Sequence, residues 1–175
     1  MDNSMELIDT NMVAQDFNPG ENFKLGYFNV IERNVSVGDN VELGNHVLLK
    51  SGTIIMDNTF IDTQVIVSGD CAIGANCKIR YQSVIARNVL IGDNVFFSAG
   101  VKLIYLQPTQ KGFYRSLEIG DNCFLGDNVV VMHGVHIAIN CIIGANSLIT
   151  RDTEPGGVYM GTPAKRIREV REGEL

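Results

Sequence analysis

The sequence has no run of 18 apolar residues, so no segment reads as a membrane-spanning helix. It has no basic run longer than a few residues, and its formal net charge is −6, which argues against a nucleic-acid partner. Its four cysteines, Cys71, Cys77, Cys123 and Cys141, form no Cys-x-x-Cys pair, so structural zinc and dithiol redox chemistry are not expected. The opening residues, MDNSMELIDTNM, lack the basic and apolar stretches of a secretory signal, and the expected setting is cytoplasmic. Histidine is scarce: His46, His133 and His136 are the three imidazoles on which proton transfer could draw. What remains is a chain of 175 residues, 45% apolar, enough for one folded domain with a sizeable core.

What is present is a period of six. Stepping from Leu25 gives Leu25, Ile31, Val37, Leu43, Leu49, Ile55, Ile61, Val67, Ile73, Ile79, Ile85, Ile91, Phe97 and Leu103, all large and apolar. The register breaks there and resumes at Ile119, Leu125, Val131, Ile137, Ile143 and Ile149, for nineteen complete hexads. Taking these as position 1, position 5 is small or β-branched and holds all four cysteines, which read as core filler. Position 4 is Asn in ten hexads, from Asn34 to Asn146, and Gly in three, Gly52, Gly100 and Gly134. These residue types tolerate positive φ, so a tight turn is expected every six residues. A β-sandwich would need turns every 8–12 residues, which a strict six excludes.

The motif aliphatic-Gly-x-Asn-small-x, seen in Ile73–Lys78 and Ile91–Phe96 with a Gly at the second place, resembles the hexapeptide-repeat acyltransferases. The resemblance implies an all-β fold: a left-handed parallel β-helix with three hexads per coil, about six coils here, assembled as a homotrimer. With three hexads per coil, position 6 forms three outward rows. Counting Phe113 as one further position 1 within the break, one row is Val30, Leu48, Ile66, Val84, Lys102, Phe124 and Ile142. The next is Ser36, Ile54, Ala72, Leu90, Val130 and Leu148, and the third is Glu42, Phe60, Lys78, Phe96, Glu118, His136 and Glu154. Two apolar faces and one charged face are therefore expected, with self-association through the apolar pair.

The expected organisation is a cap segment over 1–24, a repeat body over 25–153 with a loop insertion at 104–115, and a tail over 154–175. With Phe113 in register, the loop exceeds a normal hexad by four residues, and its cations Lys111 and Arg115 are candidates for substrate phosphates. The tail GVYMGTPAKRIREV predicts a short C-terminal α-helix, with Thr162 as N-cap, Pro163 as first helical residue, Ile167 docked on the last coil and Gly173 as terminator.

That tail also matches the GxPAKxI motif that follows the last coil in sugar-modifying members of the family. With IIGANSLITRD (Ile142 to Asp152), it implies acetyl-CoA as co-substrate. By the resemblance, Gly126, Ala145, Thr150 and Arg151 contact the donor arm, and Lys165 and Arg168 face its phosphates. Acyl transfer also needs a positioned nucleophile, a base for its proton and a donor for the oxyanion. His133 lies at a corner in MHGVH, and His136 points outward between Glu118 and Glu154 by stacking; these two are the candidate bases. His46 fills an Asn position and reads as a turn residue.

The segment YLQPTQKGFYR lacks the histidine that galactoside- and maltose-type O-acetyltransferases carry in the loop before the last coils. The region from Phe17 to Arg115 is more similar to nucleotide-aminosugar N-acyltransferases, with Tyr81 and Gln82 at the corner that holds the sugar. The leading expectation is acetyl transfer from acetyl-CoA to the amino group of a nucleotide-linked amino sugar. An O-acetyltransferase acting on a sugar or glycan hydroxyl is the nearest alternative. A γ-carbonic-anhydrase-like metal enzyme would need three histidines together, and no metal site is expected. A structural or ice-binding β-helix would show outward rows of Thr where Val, Ile and Leu stand.

Overall fold

The computed structural model describes residues 5–105 and 115–175. Every regular element among the described residues is a strand. The chain winds through three sheets, placing one short strand in each per coil. The first wall runs from Asn11–Ala14 through Val30–Ile31 to Leu148–Ile149, the second from Ser36–Val37 to His136–Ile137, and the third from Lys24–Leu25 to Ile142–Ile143. Strands within a wall pair in parallel, as where Val67 lies between Leu49 and Ile85. No helix among the described residues is long and apolar enough to cross a membrane.

The six-residue period produces this geometry directly. The ten position-4 asparagines have φ between 54° and 59°, and Gly52, Gly100 and Gly134 have φ of 70° to 78°. His46, at the same position, has φ 56°, which bears out its reading as a turn residue. Each left-handed residue turns the backbone sharply, and the next strand begins two residues later. Position 1 then points inward on every strand. Ile31, Leu49, Val67, Ile85, Leu103, Val131 and Ile149 form one such column, none more than 2% exposed.

Position 5 has a second duty. Its side chain sits under the turn and reaches a carbonyl fifteen residues onward: Thr59 Oγ1 donates to the Gly74 carbonyl (2.8 Å), Cys71 Sγ to Ala86 (2.9 Å) and Cys123 Sγ to Ala138 (3.1 Å). Small size and a weak donor suit Thr, Ser and Cys alike, and all four cysteines are buried and free. Burial pushes the Cys77 thiol up to about 11, so it stays protonated at neutral pH.

Three expectations need correction. First, eight parallel rungs stack in the first wall, against six expected. Coiling begins at Asn11, where Met12 and Val13 pair with Val30 and Ile31. Second, the loop is ten residues longer than a hexad, not four. Side-chain bonds from coil to coil span 18 residues elsewhere and 28 across it. The strand before it lies in the first wall and the strand after it in the second, and Phe113 lies outside the described residues. The rows beyond the loop therefore shift by one wall. Lys102 is followed by Val130 and Leu148, Leu90 by Glu118 and His136, and Phe96 by Phe124 and Ile142.

Third, the tail is a β-hairpin, not a helix. Gly157–Gly161 extends the third wall in parallel beside Ile142–Ile143, and Ala164–Glu169 returns antiparallel across the turn Thr162-Pro163. Burial over Ala164–Glu169 alternates with a period of two, and Ile167 is exposed rather than docked. The open edge of the last rung offers unpaired backbone groups, and a strand satisfies them where a helix would not.

The turn geometry is testable at Asn88, whose φ is 58°. Asn88→Ala should lower unfolding stability by about 1–2 kcal/mol, because a Cβ without a local polar partner is strained there. Asn88→Gly should lie closer to wild type; denaturant titration distinguishes the two. Ile85→Ala, deleting a fully buried wall residue, should cost about 2–5 kcal/mol in the same measurement.

Candidate active site at one corner

Wall register aligns the residues of each corner into a column. Between the first and second walls the column reads Arg33, Ser51, Gly69, Arg87, Tyr105, His133 and Arg151, each two places beyond a paired wall residue. The long loop leaves at this corner and returns to it. Both candidate bases lie here. His133 meets the Tyr105 ring edge-on, with centroids 5.9 Å apart. His136 opens the second wall, with its Nδ1 3.2 Å from Glu118 Oε2. Glu118 Oε1 in turn accepts from Ser116 Oγ at 2.7 Å. A carboxylate on Nδ1 fixes the ring orientation and leaves Nε2 to take a proton.

The backbone of this strand is held from the other side. Asp152 Oδ1 accepts the His136 main-chain N–H at 2.9 Å, and Asp152 Oδ2 accepts from Arg115 Nη1 at 2.7 Å. The His136 N–H and the Arg115 guanidinium together hold the Asp152 carboxyl below the usual carboxylate range. Glu154, expected beside His136, instead pairs with Arg166.

Asp152 also borders a cleft of about 340 Å³ at the end of the coil, walled by Ile149, Thr150 and Arg151 on one side and by Tyr159 and Pro163 to Arg166 on the other. Three residues assigned from sequence to the donor, Thr150, Arg151 and Lys165, line it together. The ion pairs among the described residues leave Arg151 and Lys165 unpaired. Arg166 is held by Glu154 and Glu169 and Arg168 by Glu174; Arg166 lines the cleft and Arg168 does not.

Other assigned residues fall on a different corner, between the third and first walls. Gly126 stacks so closely on Ala145 that a Cβ there would sit 2.6 Å from the Ala145 nitrogen. Tyr81 and Gln82 occupy the same corner further up the coil. Arg80 covers the Tyr81 ring at 5.7 Å, and Gln82 Nε2 donates to Gln64 Oε1 at 3.1 Å. Lys111 lies outside the described residues. His46, stacked on Phe28, is also on this second corner, so one chain does not bring three imidazoles together. Tyr105, Ser116 and Asp152 were not singled out in the sequence. Their roles depend on where the loop re-enters, and no local motif reports that.

A parallel coil built from hexads, with a histidine–carboxylate pair beside a cation-lined cleft at its end, places the chain among the β-helical repeat proteins. The chain belongs to the hexapeptide-repeat transferase family: residues 7–106 match the family model described as GMPPB C-terminal domain, and residues 117–151 match Bacterial transferase hexapeptide (six repeats). It is 35% identical over 89 residues to galactoside O-acetyltransferase of Escherichia coli (strain K12), covering 46% of this chain and 44% of that relative. The chain thus spans less than half the length of that protein.

Among solved structures it is similar to LpxA from Acinetobacter baumannii, with a TM-score of 0.71, 20% identity and coverage of 93% of this chain and 73% of that one. It is also similar to a mutant perosamine N-acetyltransferase from Caulobacter crescentus, solved with CoA and GDP-perosamine. That likeness has a TM-score of 0.53, 23% identity and coverage of 81% and 57% respectively. At these identities both are likenesses of fold.

Asp152→Asn tests the brace on the His136 strand. A carboxylate with a lowered folded pKa stabilises above its unfolded pKa, and that contribution disappears as pH falls through the folded value. The variant should lose a few tenths to about 1 kcal/mol at neutral pH, given the solvent exposure of the pair. Its deficit against wild type should close in strong acid. Thermal unfolding across a pH series provides the check.

Proposed function

We propose that the protein is an acyltransferase that takes an acetyl or other short acyl group from acetyl-CoA and delivers it to the amino group of a nucleotide-linked amino sugar. One observation carries this reading: the His136–Glu118 pair stands at the corner whose next rung opens into the Thr150–Arg151–Lys165 cleft. The family supports acyl transfer, and the similar N-acetyltransferase solved with CoA and GDP-perosamine supports the donor and acceptor class.

In the proposed reaction Arg151 and Lys165 meet the donor's phosphates, while Thr150 contacts its arm. The acceptor amine attacks the thioester carbonyl as His136 Nε2 takes the amine proton. Glu118 holds the imidazole through Nδ1 and stabilises the imidazolium that forms. The tetrahedral intermediate collapses with loss of the CoA thiolate, which the proton from His136 then neutralises. His133, on the Tyr105 side of the corner, faces the acceptor. An O-acetyltransferase would use the same base on a hydroxyl; the relative named for galactoside O-acetylation keeps that second reading in view.

Self-association belongs to the same proposal. Tyr81, Gln82, Gly126 and Ala145 lie on one corner and the histidines on another. The outward row of the first wall, Met12, Val30, Leu48, Ile66, Val84, Val130 and Leu148, is apolar apart from Lys102. A homotrimer packed along that row would set one chain's Tyr81 corner beside a neighbour's histidine corner.

Thiol release from acetyl-CoA in the presence of amino-sugar nucleotides tests the reading. His136→Ala should cut turnover by about 10²–10⁴-fold with little change in acetyl-CoA affinity. Glu118→Gln should give a smaller loss. A greater loss from His133→Ala than from His136→Ala would move the base to His133, and absence of acetyl-CoA binding in calorimetry would remove the reading.

A further inference from the structure

One rung above the histidines, the same corner holds a groove of about 440 Å³ that the mechanism leaves unused. Ser68, Val84, Ala86, Arg87 and Tyr105 are among the residues that line it. The register fixes their order along the corner: Arg87, then Tyr105, then His133 on successive rungs. Rungs are about 4.8 Å apart, so Arg87 and His133 are separated by about 10 Å along the coil axis.

The chemistry along this line changes from rung to rung. Arg87 brings a fixed positive charge and a planar fork of donors. Its one ion-pair partner among the described residues is Asp70, which occupies part of the fork, and the pair is more than two-fifths exposed on both sides. The remaining N–H groups are free to meet an anion, with Ser68 beside them on the groove wall. Tyr105 is 42% exposed and offers an aromatic face; its contact with His133 runs edge to face. Val84 and Ala86 add apolar surface without competing donors or acceptors. A cation, then an apolar and aromatic patch, then an imidazole, in line over two rungs, matches a phosphate followed by a sugar ring followed by a reacting amine.

We propose that this groove seats the acceptor, with Arg87 holding the phosphate attached to the sugar and Tyr105 packing the ring so that its amine faces His133 and His136. The inference rests on the acyltransferase reading and adds to it a site for the phosphate-bearing half of the substrate and a determinant of specificity. Arg87 then distinguishes phosphorylated acceptors from free sugars. A nucleoside diphosphate and a glycosyl monophosphate both supply such a phosphate, since Arg87 meets the same ester in either.

Calorimetry on the full chain, with CoA present to occupy the donor cleft, tests this using UDP, glucose 1-phosphate and inorganic phosphate. Wild type should bind UDP or glucose 1-phosphate. Arg87→Ala should weaken that binding at least tenfold, Arg87→Lys should recover part of it, and CoA affinity should stay unchanged in both. Tyr105→Ala should weaken glucose 1-phosphate binding while leaving inorganic phosphate alone. Tighter binding of UDP than of glucose 1-phosphate assigns the phosphate to a nucleotide, and the reverse order assigns it to a sugar phosphate. Failure of wild type to bind any phosphate ester, or equal binding by Arg87→Ala, overturns the inference and leaves the donor reading standing. Failure to bind CoA is the separate outcome that removes the acyltransferase reading itself.

Discussion

The structure depends on one backbone constraint, a left-handed residue at every sixth place. Asn, Gly and the exceptional Phe28, His46, Gln64, Asp70 and Gln82 all adopt it, with φ between 48° and 78°. Because the turn recurs without drift, each wall position stacks on its counterpart one coil away, and equivalent residues form columns. The column inside is aliphatic and supplies the hydrophobic stabilisation. Columns at the corners are polar, and each corner has its own chemistry. Between the second and third walls, Asp39, Asp57, Asp93 and Asp121 accept the main-chain N–H of a residue one coil back, which leaves those carboxylates structural. Between the first and second walls the column is largely cationic and aromatic, and it is there that the proposed reaction is placed.

The loop follows from the same constraint. A coil of fixed period cannot absorb ten additional residues within a strand, so the excess must leave at a turn. It leaves between Leu103 and Leu117, directly above His133 and His136, and its return strand carries Arg115, Ser116 and Glu118 into the site. The insertion thus does more than decorate the scaffold: the residues that orient His136 are those with which the chain re-enters the wall. Arg115, a candidate for substrate phosphate in the sequence, pairs with Asp152 through Nη1.

Much of this was legible from local pattern. The period gave the columns, the Asn positions gave the turns, and position 5 explained the cysteines. Glu118 and His136 share position 6 in adjacent coils of one wall, so their contact followed from stacking. What escaped depended on non-local facts. The tail carries good helix-starting signals at Thr162 and Pro163, yet the unpaired edge of the third wall draws it into a strand. The first coil was hidden because its repeats are degenerate: Phe17 and Phe23 pack against each other where the hexad pattern lapses. The rows beyond the loop were offset by one wall because loop length alone does not reveal which wall the chain re-enters.

The central claim is that the reaction centre is the corner between the first and second walls. Diffraction from crystals grown with CoA tests it most directly. The account predicts the CoA sulfur beside His136, with the phosphates against Arg151 and Lys165. A sulfur lodged away from both histidines, or phosphates held by Arg168 outside the cleft, would contradict it.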